Sequence, residues 1–522
     1  MNAIAVAARS LADRAIEAAR ALTRNGEDAD QHQVVVERVA YAATEARVIG
    51  ELSDTPAELG DAARVAAAEL AASVRYRLDP IGSVLGLGEL AYEREAANAI
   101  VEATAPRAVE AIGEATIAGG GRLAWPLDET LGEVRANVRA FAEREIAPHA
   151  ERIHHHDELV PERFIEEMAK LGYFGLSIPE RYGGHELGNL AMILTTEELS
   201  RASLAAAGSL ITRPEILAKA LLAGGTEAQK QHWLPKLAAG EVMAAISVTE
   251  PNVGSDVASV ACRAERVDGG FAITGAKAWC TFAGRADVIA LLARTDADTS
   301  KGARGLTLFI VDKPRFPGHE FTATQPSGGT LVGKADRTPG YRGMHSFTLA
   351  FDRWLVPDAQ VVGGDEGIGR GFALQMAGFA AGRLQTGGRA CGVTQAAVEQ
   401  TARYVAERKQ FGRPIGEYGL TRYHMGRMMS RLVAARAITY AAARAMDGDE
   451  RQAAPVAAMA KLFACDVAVE VTQLGQLLHG GWGYAEEYPI SRYVADAQVL
   501  PIFEGVKPIL ALKVVGRSLL GR

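Results

Sequence analysis

Glu504 stands in Leu500-Pro-Ile-Phe-Glu-Gly505, a carboxylate among apolar neighbours. Burial raises a carboxylate's pKa and makes it a better base near neutral pH, whereas a helix starting at Gly505 stabilises the anion. General base and acidic helix cap both remain open from the residues alone. Residues 249–256, Thr-Glu-Pro-Asn-Val-Gly-Ser-Asp, follow the apolar run Ala244–Val248 and precede Gly275–Thr281, which carries Trp279-Cys280-Thr281. A strand ending this way presents a flat hydrogen-bonding edge to a planar ligand. Thr249 and Ser255 offer hydroxyls, and Gly254 admits a close backbone approach. The Trp279 indole suggests a second wall. Taken singly, each of these residues also reads as part of a surface loop.

Arg383 and Arg408 are candidate phosphate ligands, and Arg408 opens Arg-Lys-Gln-Phe-Gly412, where a guanidinium beside an aromatic suits a nucleotide. A solvated helix surface is the plainer reading of both. Leu478-His-Gly-Gly-Trp-Gly-Tyr484 is a glycine turn able to meet a cofactor backbone-first. His154–His156 invite a metal reading, but adjacent helical residues point about 100° apart, so no metal site is expected. Arg213-Pro214, inside apolar helical sequence, predicts a cation beside a proline kink; if buried, it needs an anion.

These residues need several domains to position them, and 522 residues with 48% hydrophobic content supply the cores. A net charge of −7 without a long basic run argues against nucleic acid, and no apolar stretch approaches a membrane span. Four scattered cysteines fit a reducing cytoplasm. Ala-, Glu- and Arg-rich helical spacing over 1–117, broken near 25–27, 54–55 and 79–80, predicts four or five helices, with Ala118–Arg122 as linker. Helices are expected at 130–150, 161–171, 188–203 and 205–223. Short β runs are expected at 244–248, 258–266, 270–275, 287–293, 305–311 and 346–352, then long helices at 372–408, 419–447, 451–479 and 505–519. The expected domains are a helical extension (1–122), a helical domain (123–241), a β domain (242–362) and a four-helix bundle (363–522). The fold class is mainly α with a central β domain.

Residues 127–522 resemble the acyl-CoA dehydrogenases. The resemblance rests on Pro179–Gly184, Leu234–Glu241, Thr249–Asp256, Gly275–Thr281, Arg408–Gly412, Gly480–Tyr484 and Phe503–Gly505, in that order. It implies FAD between the β domain and the bundle, an acyl-CoA thioester along the flavin, and Glu504 as the base that takes the α-proton. It also implies that Ile246, Val248, Thr249, Gly254, Ser255, Trp279, Cys280 and Thr281 line the flavin. Ser255 would touch the CoA arm as well. Gly480 and Gly481 would also meet the cofactor, and Arg408 and Phe411 would reach the FAD of a neighbouring subunit, hence a homo-oligomer, dimer or tetramer. An electron-transferring flavoprotein is the implied acceptor, with transfer to oxygen as the alternative.

The family's usual polar residues are replaced by Ala380, Gly419, Leu477 and Val506-Lys507-Pro508. Gly382 occupies the position where a minority branch keeps its base. In the extension, Gly208–Pro214, Gly340–His345 and Cys280 the chain resembles one branch of that family, which implies a short branched dicarboxylic substrate such as (2S)-methylsuccinyl-CoA, with another short or branched acyl-CoA as the alternative. Thr212 and Arg213 fall on the helix lining the acyl end in the family. Arg213 is the expected partner of the free carboxylate, and Arg342 the second candidate. Gly382, Arg383 and Gly505 complete the expected substrate contacts.

Overall fold

The computed structural model describes residues 1–521. The chain forms two compact units, Met1–Glu133 with Thr386 onward, and Val134–Gln385.

In the first unit the extension forms helices Asn2–Leu22, Gln33–Leu52, Gly60–Leu78, Arg94–Ala103 and Pro106–Ala118. The breaks after Leu22, Leu52 and Leu78 match the expected polar interruptions, whereas the break at 104–105 is not among those expected. These helices share a core with the C-terminal ones: Ala40 and Tyr41 pack with Met459, Leu462, Leu510, Ala511 and Val515. Pro106–Ala118 approaches helix Gly419–Gly448 so closely that a Cβ on Gly113 would lie 1.7 Å from the Arg422 carbonyl oxygen. A Cβ on Gly426 would lie 2.1 Å from that of Val109. The glycine run read as a linker is a docked turn, with the Gln395 amide donating to the Gly121 carbonyl at 2.8 Å. The helix Gly371–Glu407 contributes its Thr386–Glu407 portion here, beside Glu450–His479. The expected helix 505–519 is instead a short helix Lys507–Ile509, a π-helical segment Leu510–Gly516 and a last turn Arg517–Leu520.

The second unit holds helices Ala147–His155, Glu162–Lys170, Gly188–Ala202, Thr212–Gly224 and Glu227–Ala238, then an eight-stranded sheet. Its strands are β1 (Ala244–Ser247), β2 (Arg263–Val267), β3 (Gly270–Thr281), β4 (Val288–Arg294), β5 (Leu306–Asp312), β6 (Glu320–Thr324), β7 (Thr330–Ala335) and β8 (Ser346–Pro357). They run β1-β4-β2-β3-β8-β7-β6, with β5 beside β4. β4 is buried at every residue, while β8 largely alternates between buried and exposed, as one covered face requires. β6 and β7 escape the sequence reading because Thr, Glu and Lys fill their open face. The expected strand start at 258 is a helical turn instead, Val257–Ser259.

The expected helix 205–223 is also divided. A π-helical turn, Leu204–Gly208, comes first, and the α-helix starts only at Thr212. Pro214 therefore sits in a first turn, where its missing N–H costs nothing, and makes no kink. Among the described residues no helix is long and apolar enough to cross a membrane, and all four cysteines are free and buried.

Gly113→Val should lower the melting temperature by several degrees, because overpacking at a helix crossing costs about 1–3 kcal/mol. Gly132, with nothing within 4 Å of a built Cβ, provides the control: Gly132→Ala should leave it unchanged or slightly raised. Equal melting curves for both variants would refute the close crossing.

Candidate active site

The 249–256 stretch is held onto β3 by a buried ion pair. Lys277, fully buried, donates from Nζ to the Val248 carbonyl and to Glu250 Oε1, both at 2.9 Å. Glu250 in turn accepts the amides of Ala261 and Cys262 at 2.8 Å, and the Ala278 amide donates to the Thr249 carbonyl at 2.8 Å. Lys277 thus ties the start of the loop to β3, and Glu250 links that start to the segment at 261–262.

Beyond Lys277 the register between β3 and β8 slips, and Trp279 takes φ +58°. Left-handed backbone at a non-glycine residue costs on the order of 1–3 kcal/mol and marks a constrained position. Here it turns the indole outward, 59% exposed, from a strand whose neighbours Cys280 and Thr281 are buried. Burial pushes the Cys280 thiol up to about 12. Val248 packs with Val260, Leu292 and Leu306. Val248 and Cys280 therefore lack the side-chain accessibility a ligand contact needs and offer only backbone. Thr249 and Ile246 are half-buried, and Gly254 and Ser255 are exposed.

In the same unit Arg213 is 6% exposed, next to fully buried Thr212. Its Nη1 donates to the Ser209 carbonyl at 3.3 Å and to the Tyr341 hydroxyl at 3.1 Å. Among the described residues no carboxylate pairs with it. It lies close enough to Cys280 to act on that thiol electrostatically. Tyr341 belongs to the β7–β8 connection, where Tyr341, Gly343 and His345 all have positive φ. That loop is clamped by His345 on Asp157 at 3.0 Å and by the Val160 amide on the Gly343 carbonyl at 3.0 Å. Arg342 is engaged elsewhere: it donates to the carbonyls of Thr338 and His154 and lies 3.6 Å from Asp157. It is thus a clamp on the loop, not a free cation. Gly382 is buried and Arg383 half-buried on helix Gly371–Glu407.

In the other unit Glu504 adopts φ +55° and is followed by Gly505 at φ +102°. The helix begins only at Lys507, capped by Val506, so Glu504 is not its cap. Its side chain, 8% exposed, meets Arg389, which is fully buried. Arg389 Nη2 lies 2.9 Å from both carboxylate oxygens, and the Thr386 hydroxyl donates to Oε2 at 2.5 Å. Arg408, Gly480 and Gly481 line one open groove of about 550 Å³ with Tyr404, Ile415 and Trp482. Phe411, 95% exposed with φ +52°, caps the adjacent two-stranded hairpin Lys409–Gln410/Arg413–Pro414.

Comparison with known proteins accounts for this arrangement. Family models of the acyl-CoA dehydrogenase N-terminal, middle and C-terminal domains match residues 128–241, 245–354 and 369–520. The chain belongs to the acyl-CoA dehydrogenase family. It is 41% identical over 409 residues to (2S)-methylsuccinyl-CoA dehydrogenase of Cereibacter sphaeroides, covering 78% of this chain and 72% of that one. It is 36% identical to a mitochondrial 2-methylacyl-CoA dehydrogenase of Solanum tuberosum, covering 75% and 91%. The structure of butyryl-CoA dehydrogenase from Megasphaera elsdenii superposes with a TM-score of 0.69 at 30% identity, covering 76% and 100%.

The protein is accordingly an FAD-dependent oxidoreductase acting on acyl-CoA. Its residues suit that cofactor. An exposed indole stands at Trp279, a Cβ on Gly254 would meet nothing within 4 Å, and a guanidinium for a diphosphate lines the glycine groove at Arg408.

Sequence reasoning missed Lys277, Glu250, Tyr341, Thr386 and Arg389. The Thr386/Arg389 spacing of three on a helix was the available signal. The three consecutive histidines do not form the imidazole grouping of this unit. Asp157, His319 and His345 do, their ligand atoms within 4.8 Å of one another, but the Arg342 guanidinium already faces that carboxylate.

Lys277→Met leaves the Glu250 carboxylate buried without its cation, a loss of about 3–5 kcal/mol locally. The purified variant should remain folded by circular dichroism yet lose its yellow flavin absorbance on gel filtration. Full flavin retention would show that the ion pair does not support the cofactor edge.

Proposed function

We propose that this enzyme oxidises a short branched dicarboxylic acyl-CoA, (2S)-methylsuccinyl-CoA, to its α,β-unsaturated product mesaconyl-CoA. The observation that carries the proposal is Arg213, a buried guanidinium whose hydrogen bonds go to a carbonyl and a hydroxyl. A buried cation with only neutral acceptors is costly until an anion arrives, and a free substrate carboxylate meets that need. Its nearness to Cys280 fits a short acyl chain, since Cys280 adjoins the outward indole. The similarity to the Cereibacter sphaeroides enzyme supports the same substrate.

In this reading Glu504 is the base. Its carboxylate accepts the α-proton as the C–H bond breaks. FAD, when bound, supplies the acceptor for the β-hydride. Gly382 leaves room for the methyl branch, and Ser255, Thr212, Arg383 and Gly505 line the substrate path. Arg408 and Phe411, exposed on their hairpin, reach a cofactor in a second copy of the chain, with Gly480 and Gly481 behind them. An electron-transferring flavoprotein is the proposed acceptor. Peroxide release in air at the full turnover rate would instead mark an oxidase.

Arg213→Ala should lower kcat/KM for methylsuccinyl-CoA by about 100-fold, roughly 3 kcal/mol, and change butyryl-CoA turnover far less. Equal losses with both thioesters would remove the carboxylate role. Glu504→Gln should retain FAD but reduce it at least about a thousandfold more slowly with substrate. Near-normal flavin bleaching by that variant would reassign the base.

A further inference from the structure

We propose that Arg389, together with Thr386, is a positioning residue that holds Glu504 as an oriented anion and sets the lower pH limit of dehydrogenation. The inference rests on Glu504 being the base.

Thr386 and Arg389 are three residues apart on one helix and so share a face. Arg389 is fully buried, its guanidinium 4.6 Å from the Phe503 ring centroid. A charge so placed requires a counterion, and Glu504 provides it. Because Nη2 meets both oxygens and the Thr386 hydroxyl meets one, the carboxylate plane is fixed as well as its charge. The backbone of the same turn is fixed from a second helix, where Lys461 Nζ donates to the carbonyls of Phe503, at 2.6 Å, and Gly505. Side chain and backbone are thus immobilised independently, which accounts for the left-handed φ at a glutamate.

The surrounding charges are Arg389 on helix Gly371–Glu407, Lys461 and Asp466 on Glu450–His479, and Lys507 on the Glu504 segment itself. Lys507 pairs with Asp466 at 2.5 Å, and Asp466 also accepts from Tyr41 at 3.4 Å. The nearby Cys465 thiol is pushed by burial up to about 12 and stays neutral. Arg389 is the cation in direct contact with the Glu504 carboxylate, and Lys461 sits at the carbonyls on either side of it. When Glu504 takes the α-proton, an O–H bond forms as the C–H bond breaks, and the carboxylate becomes a neutral acid beside Arg389. The guanidinium favours the state before transfer. It keeps the base ionised to lower pH and reduces its proton affinity.

The test is the pH dependence of anaerobic flavin reduction in the FAD-loaded enzyme, with methylsuccinyl-CoA, or butyryl-CoA if that alone is turned over. Removing the cation raises the proton affinity of Glu504. In Arg389→Gln the acidic limb should therefore move upward by about one pH unit or more, a tenfold change in proton affinity. Arg389→Lys should restore part of that shift, and Thr386→Val should show a smaller shift in the same direction. A uniform fall in rate with the limb unmoved would overturn the proposal and leave Arg389 a structural residue. Should Arg389→Gln fail to hold FAD, Arg389→Lys and Thr386→Val decide by the same criterion. Glu504→Gln separates the two levels: if it still reduces flavin, the base assignment falls first. If it does not and the limbs stay put, only the Arg389 role falls.

Discussion

Lys277 has no contact with solvent, and the geometry of the 249–256 sheet edge follows from where its charge is placed. An ammonium in that position must find acceptors, and it finds them in the Val248 carbonyl and the Glu250 carboxylate. Glu250 can accept it while also accepting two amides eleven and twelve residues downstream because a carboxylate has four lone-pair positions. The loop between is therefore drawn against β3. Past this anchor the β3–β8 ladder slips, and Trp279 takes a left-handed backbone conformation. An outward indole beside an open glycine edge is the result.

Two of the buried arginines, Arg389 and Arg213, illustrate how charge is used differently in the two units. Arg389 has its counterion within its own fold, so its burial stabilises one arrangement of the Glu504 turn. Among the described residues Arg213 donates to neutral oxygens, one of them the hydroxyl of Tyr341 from a loop with three positive-φ residues. The first arrangement is closed, and in the proposed reading the second is preorganised for the free carboxylate of the substrate. Preorganisation of this kind lowers the cost of binding the right ligand and raises that of a ligand lacking the charge.

The extension is part of the same economy of packing. Its helices share a core with the C-terminal ones, and glycines at 113 and 426 allow helix backbones to touch. The glycine turn at 119–121 is stitched to helix Gly371–Glu407 at Gln395, a few residues beyond Arg389.

Long periodic helices and the ordered motifs were legible in the sequence, because a helical stripe and a glycine turn are local properties. They determined the family, the flavin chemistry, the mainly α architecture and the candidate carboxylate. β6 and β7 were not legible, since an open polar face erases the apolar run that marks a strand. Nor was the start of the helix at Thr212, where a π-helical turn shares the apolar composition of its neighbours. Glu504 could be read as a base or a cap until the turn around it was seen to end two residues before the helix. Only the tertiary structure decided which charges meet. Lys277 with Glu250, Arg389 with Glu504, and Arg213 with Tyr341 are separated by 27, 115 and 128 residues. A pairing over such distances depends on how elements pack and leaves no periodic trace in the chain.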